Sequence, residues 1–187
     1  MKKVIASIFV SLDGFIVGKN EDMRWVINNF SDDMGKYAGN LQISMSAVLL
    51  GRVTYQIMTN SWPNLTEETS PGAERMNSVP KVVFSRTLNE VQWGKYNNAR
   101  LAKNSPAEEI SLLKQQSGGD LVIYGSANLV QNFTQPGLID EYQLLVHPVV
   151  LGSGKPLFKG ITKPINLKLL RTETFKNGVI VLYYARE

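Results

Sequence analysis

The stretch AVLLGRVTY, residues 47–55, is an apolar run that stops at a glycine and continues at once with an arginine and a threonine. Consecutive apolar residues without alternation suit a strand buried on both faces, as in a parallel sheet. Arg52 to Asn60 then fits a short helix that begins at Gly51. A turn needs only the glycine, so the arginine and the threonine carry extra information. The free amides of a helix N-terminus attract phosphate. Arg52 can grip a phosphate in two places, and Thr54 can donate its hydroxyl to another oxygen.

The same arrangement recurs twice further along the chain. KVVFSRT (81–87) is an apolar strand that ends in Ser85-Arg86, and VIYGSANL (122–129) runs from strand through Gly125 and Ser126 into a helix. A glycine at such a turn lets a ligand approach the backbone, and the amides that follow form an anion-binding nest. In open α/β sheets ligands bind at the carboxyl ends of the strands. Three such ends, two with arginine, point to a ligand with several phosphates, and a dinucleotide with an additional phosphate suits two arginines.

The remaining pattern sets the fold class. KVIASIFV (3–10) reads as a first strand, and 11–30 as a long loop containing Asp13-Gly14. Ser31 is placed as an N-cap, with Asp32 and Asp33 in the first turn of a helix reaching about Ile43. Residues 61–78 form a polar excursion with a helical turn near Glu74. A weaker strand is expected around 99–102. Ser105-Pro106-Ala107-Glu108 opens a further helix with a capping-box pattern. Strands are then expected at 141–152 and 165–175, and Lys176-Asn177-Gly178 turns the chain into VIVLYYARE. Strands and helices alternate first, and antiparallel strands close the chain. The expectation is one α/β domain over 1–187, three layers deep, whose mixed and mainly parallel sheet ends in an antiparallel hairpin.

Composition narrows the chemistry. The 187 residues are 43% hydrophobic, with 20 Lys+Arg against 16 Asp+Glu and a formal net charge of +4. The excess is spread out, which argues against a nucleic-acid-binding arm and suits small anionic ligands. The chain has no cysteine and one histidine, so disulfides, thiol catalysis and cysteine-based zinc sites are excluded, and no transition-metal site is expected. A reducing cytoplasm fits the absence of cysteine. The start, MKKVIASIFVSLDG, lacks a cleavage pattern and reads as a strand, and no apolar run is long enough to span a membrane. Gly152-Ser153-Gly154-Lys155 resembles a phosphate loop, but Pro156 stands where Ser or Thr is needed, and Leu157 occupies the third glycine of GxGxxG.

Taken together, SLDGFIVG (11–18) with Trp25, AVLLGRVTY, VVFSR (82–86), VIYGSANLV (122–130) and LIDEYQLLVHPVVLGSGKPLF (138–158) resemble the dihydrofolate-reductase-like superfamily. The resemblance is to the branch of the reductase domain that ends the riboflavin-biosynthesis deaminase–reductase, and it spans nearly the whole chain. It implies a dihydrofolate-reductase-like fold and NADPH as cofactor. Carried over position by position, it implies cofactor binding by Gly51, Arg52, Thr54, Ser85, Arg86, Gly125, Ser126 and Ala127. It places Asp13 in the active site as the catalytic candidate, with Gly14, Phe15 and Trp25 against the substrate. It also implies a homodimer and a small-molecule partner; the spread of charge and the lack of a long apolar run add the expectation of neither nucleic acid nor membrane. Three positions depart from the branch, in two places. Phe15 stands where a lysine or another polar residue is usual, and Gln42 and Ser46 replace an arginine and an aspartate. Both changes point away from a phosphorylated ribose substrate. The alternative is a nucleotide-binding or regulatory module that kept the fold without catalysis. His147, alone in an apolar strand, is read as structural. The neighbours Asp140 and Glu141 should face opposite ways on a strand.

Overall fold

The computed structural model describes residues 2–187. The chain runs β1 (Val4–Ser11), β2 (Phe15–Gly18), α1 (Arg24–Ile27), α2 (Asp32–Ser44), β3 (Met45–Gly51), α3 (Arg52–Ser61) and α4 (Ala73–Ser78). It continues through β4 (Lys81–Phe84), β5 (Ala99–Leu101), α5 (Pro106–Gln115), β6 (Asp120–Tyr124) and α6 (Ala127–Thr134). It closes with β7 (Glu141–His147), β8 (Gly154–Pro156), β9 (Leu167–Thr174) and β10 (Ile180–Arg186). An eight-stranded sheet has the order β5-β4-β3-β6-β1-β7-β10-β9, and β2 and β8 pair separately. The pairings from β5 through to β7 are parallel, and β10 is antiparallel to both β7 and β9.

Alternating side chains of the central strands feed two cores. Val4, Ala6, Ile8, Ala47, Leu49, Leu121 and Ile123 pack with Ile110 and Leu113 of α5 and with Leu129, Val130 and Phe133 of α6. Ile5, Val48, Leu50 and Val122 pack on the other face with Met34, Tyr37 and Leu41 of α2 and Tyr55 of α3. The period of two in each strand thus sets a three-layer αβα sandwich. Fully burying one such aliphatic side chain contributes about 1.5–3 kcal/mol. Strands buried on both faces carry much of the fold's stability.

Helix starts follow local chemistry. Ser105 caps α5, its hydroxyl accepting from the Glu108 amide while the Glu108 carboxylate accepts from the Ser105 amide. Ser31 stands at the N-cap of α2, but its side chain caps no helix amide. It donates instead to Asp33, whose carboxylate also accepts from the Lys176 amide at 2.9 Å. Asp33 thereby ties the helix start to the C-terminal hairpin. Asp140 and Glu141 do part company: Asp140 pairs with Lys114 of α5, Glu141 with Lys3 and Gln143.

Two expectations are corrected. Residues 11–30 hold β2 and α1 as well as loop, because Phe15-Ile16-Val17 is a run of β-forming residues directly after the Asp13-Gly14 turn. The strand expected over 141–152 ends at His147, where Pro148 has no amide to continue a ladder. The chain turns there and returns as β8 to pair with β2.

Candidate active site

Strands β4, β3 and β6 lie side by side and run parallel, so their carboxyl ends share one edge of the sheet. Helix α3 begins at Arg52 directly after Gly51, and α6 begins at Ala127 after Ser126. The two turns touch. The Thr54 hydroxyl donates to the Gly125 carbonyl at 3.3 Å, and a side chain on Gly51 would overlap the Ser126 hydroxyl. Gly125 has φ +56, a left-handed conformation that favours glycine. Next door, the Ser85 hydroxyl accepts from the amides of Thr87 and Leu88, both at 3.1 Å, and so shapes the turn that carries Arg86.

These turns open onto a cleft of about 1160 Å³. Its lining contains all eight of Gly51, Arg52, Thr54, Ser85, Arg86, Gly125, Ser126 and Ala127. The volume lies a little above the span of about 300–1,000 Å³ usual for small-molecule sites. Its charge is one-sided: Lys19, Arg52, Arg86, Lys155 and Lys159 face a single carboxylate, Glu21. Among the described residues none of the five cations is in a salt bridge. A cleft lined by one sign of charge concentrates ligands of the other. A glycine cradle, two helix N-termini and guanidinium groups without a carboxylate partner are donors of the kind that bind phosphates; Arg52 meanwhile donates to the Gln56 amide oxygen at 3.1 Å.

The opposite wall is an arm formed by β2 and β8. It contributes Ile16, Val17, Gly18, Gly154, Lys155 and Pro156 to the cleft. Gly154 has φ +145, and a side chain there would collide with the backbone of Val17 and Gly18, so the tight pairing requires glycine. This is the use of the Gly-Ser-Gly-Lys stretch that resembled a phosphate loop. Gln131 of α6 holds the arm down by donating to the carbonyls of Pro156 and Leu157 at 2.9 and 3.0 Å.

The substrate-side candidates gather elsewhere. Asp13, Gly14, Phe15 and Trp25 do not line this cleft. The Asp13 carboxylate accepts from the Ser11 hydroxyl at 2.7 Å, from the Gly152 amide at 2.7 Å and from the Leu151 amide at 3.1 Å. The Ser11 hydroxyl foremost, helped by the Gly152 and Leu151 amides, holds its pKa down at about 2. Phe15 starts β2 opposite Pro156, and its amide donates to the Ser11 hydroxyl. Gly14, at φ +86, makes the turn and accepts from the Leu157 amide. Trp25 stands edge-on to His147, with ring centres 5.0 Å apart, and its indole N–H donates to the Asp22 carbonyl.

His147 is fully buried between Phe9 and Trp25, and neither ring nitrogen has a partner among the described residues. Burial pushes its pKa down to about 4. Gln42 and Ser46 also lie off the cleft. Ser46 donates to the Gly119 carbonyl, and Gln42 packs against Gly72.

Reading motifs alone overlooked the cleft's lysines. Lys155 was judged only as part of a failed phosphate-loop pattern, and Lys19 and Lys159 belong to no pattern at all. It also overlooked Lys81, a lysine with no exposed surface whose amine donates to the Asn77 carbonyl and lies 4.5 Å from the centre of the Trp93 ring.

A mixed sheet with this strand order and an antiparallel C-terminal pair, flanked by helices, is the dihydrofolate-reductase-like α/β fold. The chain belongs to the RibD C-terminal domain family, whose model matches residues 2–181; this is a reductase-like family with the dihydrofolate-reductase-like fold. It is 38% identical to the uncharacterized protein YyaP of Bacillus subtilis, over 98% of this chain and 94% of that one. With the uncharacterized protein YwjB of the same organism it shares 31% identity over 99% and 98%. Among solved structures, a protein from Shewanella sp. PV-4 described under riboflavin biosynthesis superposes with a TM-score of 0.81 at 25% identity, covering 99% of each chain. A Corynebacterium diphtheriae protein described as pyrimidine reductase-like shares the fold, with a TM-score of 0.67 at 13% identity over 100% of this chain and 92% of that one.

Proposed function

We propose that this protein is an NADPH-dependent reductase of a small molecule. The observation that carries the reading is the convergence of three strand-end turns on one cleft with five cations and a single carboxylate. In this reading Arg52 and Arg86, with the Thr54 amide in the first turn of α3 and the Ser85 hydroxyl, hold the adenosine 2′-phosphate and its neighbours. The amides that follow Gly125 take the pyrophosphate. The arm closes over the rest of the dinucleotide and keeps water out. NADPH, when bound, supplies the hydride, and a proton completes the reduction of a carbonyl, imine or ring double bond. The protein's own contribution is orientation and a dry cleft, which together account for much of the rate in such reactions.

Phe15 pairs within the arm, and the Gln42 and Ser46 side chains serve the fold. The usual polar residue after Asp-Gly and the usual arginine are thus missing. A phosphorylated ribose substrate is therefore disfavoured, and the substrate is placed among small pterin-like or pyrimidine-like rings. The homodimer implied by the resemblance belongs to the same reading, and sedimentation equilibrium giving a single monomer mass would overturn that part.

The test is the thermal midpoint of the purified protein with NADPH and, separately, with NADH at equal concentration. A ligand present at about 100 times its Kd stabilises by about 2.7 kcal/mol, a shift of a few degrees. NADPH should raise the midpoint and NADH should barely move it. No shift with either would end the reductase reading. Binding of NADPH with no turnover across a broad panel of ring and carbonyl substrates would favour the non-catalytic nucleotide-binding module.

A further inference from the structure

The cleft has one wall built into the main sheet and one wall that is an appendage. The arm of β2 and β8 belongs to no strand order of the large sheet; Ile16 and Leu157 anchor it in the core, Gln131 holds its β8 side, and the ties at its base set the rest. At that base, β1 and β7 end side by side at Ser11 and His147. The chain leaves β1 through Leu12 to Gly14 and leaves β7 through Pro148 to Ser153. These two connections meet, and Asp13 is the side chain between them.

The bonding at this junction is dense. Asp13 accepts from the amides of Leu151 and Gly152, which lie 138 and 139 residues away in sequence. Its other partner is the Ser11 hydroxyl, which itself accepts from the amide of Phe15, the first residue of β2. One carboxylate therefore fixes the start of β2 through Ser11 and the approach to β8 through the 151–152 turn. The Leu12 amide donating to Val149 and the Leu157 amide donating to Gly14 frame the same junction, both at 2.9 Å. The same three donors, the Ser11 hydroxyl foremost, hold the Asp13 carboxyl ionised, with its pKa down at about 2, so at neutral pH it stands as an acceptor for these amides and this hydroxyl.

We infer that Asp13 is a positioning residue: it clasps the base of the β2–β8 arm and so sets how tightly the cleft closes on its ligand. This inference rests on the reductase reading for the identity of that ligand. The clasp itself does not depend on it. The arm carries Lys155 directly and delivers Lys19, the residue after β2, so loosening its base withdraws cationic groups as well as an apolar wall from the cleft.

The test compares the unmodified protein with Asp13→Asn and Ser11→Ala. Two readouts are used: amide hydrogen exchange without ligand, and the Kd for NADPH from fluorescence titration. An asparagine presents an N–H where one of the donors points, and Ser11→Ala removes the bridge to Phe15. The expected result is exchange accelerated about tenfold or more in 14–20 and 149–157, unchanged exchange in β3 and β6, and an NADPH Kd raised about tenfold. Unchanged exchange in the arm would overturn the inference, as would acceleration spread evenly over the whole chain. An NADPH Kd within twofold of the unmodified protein's, with the arm loosened, would also overturn it. If Asp13→Asn does not fold, Ser11→Ala decides by the same criteria. Failure of the unmodified protein to bind NADPH would overturn the reductase reading instead, and the exchange comparison would still judge the clasp.

Discussion

The two walls of the cleft are built on different principles. The sheet-edge wall is made of turns that are each continuous in sequence: Gly51 to Thr54, Ser85-Arg86, Gly125 to Ala127. Parallel pairing of β4, β3 and β6 merely sets them side by side. The arm wall is made of pieces from both ends of the chain, joined by Asp13 to Gly152 and by Val17 to Lys155. A local motif can specify anion binding by itself, because the amides and the guanidinium come with it. An arm assembled from distant segments can be adjusted without disturbing the motifs, which suits a wall that closes over a bound ligand.

The comparison can be strained first at His147, which stands beneath the arm's base. Its pKa is about 4 in the folded state against an ordinary value of 6.5. Between these values the unfolded chain binds the proton that the folded chain refuses. Stability is therefore full above pH 6.5, falls as the pH drops toward 4, and loses no more to this group below that. The loss is on the order of 3 kcal/mol. Urea midpoints measured from pH 7 to pH 4 should fall, and His147→Phe should remove most of the slope. An unchanged slope in the variant would place the acid sensitivity elsewhere.

The sheet-edge wall should break at Gly51. Its backbone is extended, at φ −82, so strain is not the issue; the obstacle is the Ser126 hydroxyl. Gly51→Ala should cost about 1–3 kcal/mol by overpacking and weaken NADPH binding by prising the two turns apart. Gly51→Ala combined with Ser126→Gly should recover much of both. A double variant no better than the single one would show that the two turns are not packed on each other.

A further effect of pH is expected at Lys81, which lies away from both walls at the start of β4. Burial pushes its pKa down to about 7 from 10.5. The unfolded chain holds the proton more readily across that window, so stability should rise with pH from 7 to 10.5. Lys81→Met should flatten this rise and be neutral to stabilising by about 1 kcal/mol near pH 7. Strong destabilisation would mean that the bond to Asn77 and the contact with Trp93 outweigh the cost of burying the charge.

Much of the fold was legible because its strands are short apolar runs closed by turn residues, and because Ser105 to Glu108 spells out a helix start. The sheet-edge candidates were legible for the same reason: each set occupies consecutive positions. The arm was not, since Phe15-Ile16-Val17 and Gly154-Lys155-Pro156 are too short to declare themselves apart. The role of Asp13 was hidden for a related reason. An Asp-Gly pair reads as a turn or as an acid, and only the arrival of Leu151 and Gly152 reveals what its carboxylate holds. Pro148 was visible, but its consequence, the early end of β7, depends on β8 having a partner to return to.

The central claim is that the parallel strand ends hold the phosphates of NADPH. The most direct measurement is the Kd of the Arg52→Ala, Arg86→Ala double variant for NADPH and for NADH, by fluorescence titration at fixed ionic strength. A charge-assisted hydrogen bond contributes about 1.5–3 kcal/mol, and about 1.4 kcal/mol is a factor of ten. The account predicts NADPH binding weakened about a hundredfold or more, NADH binding changed only a few-fold, and a thermal midpoint without ligand that stays where it was. NADPH affinity that survives the loss of both arginines would contradict it.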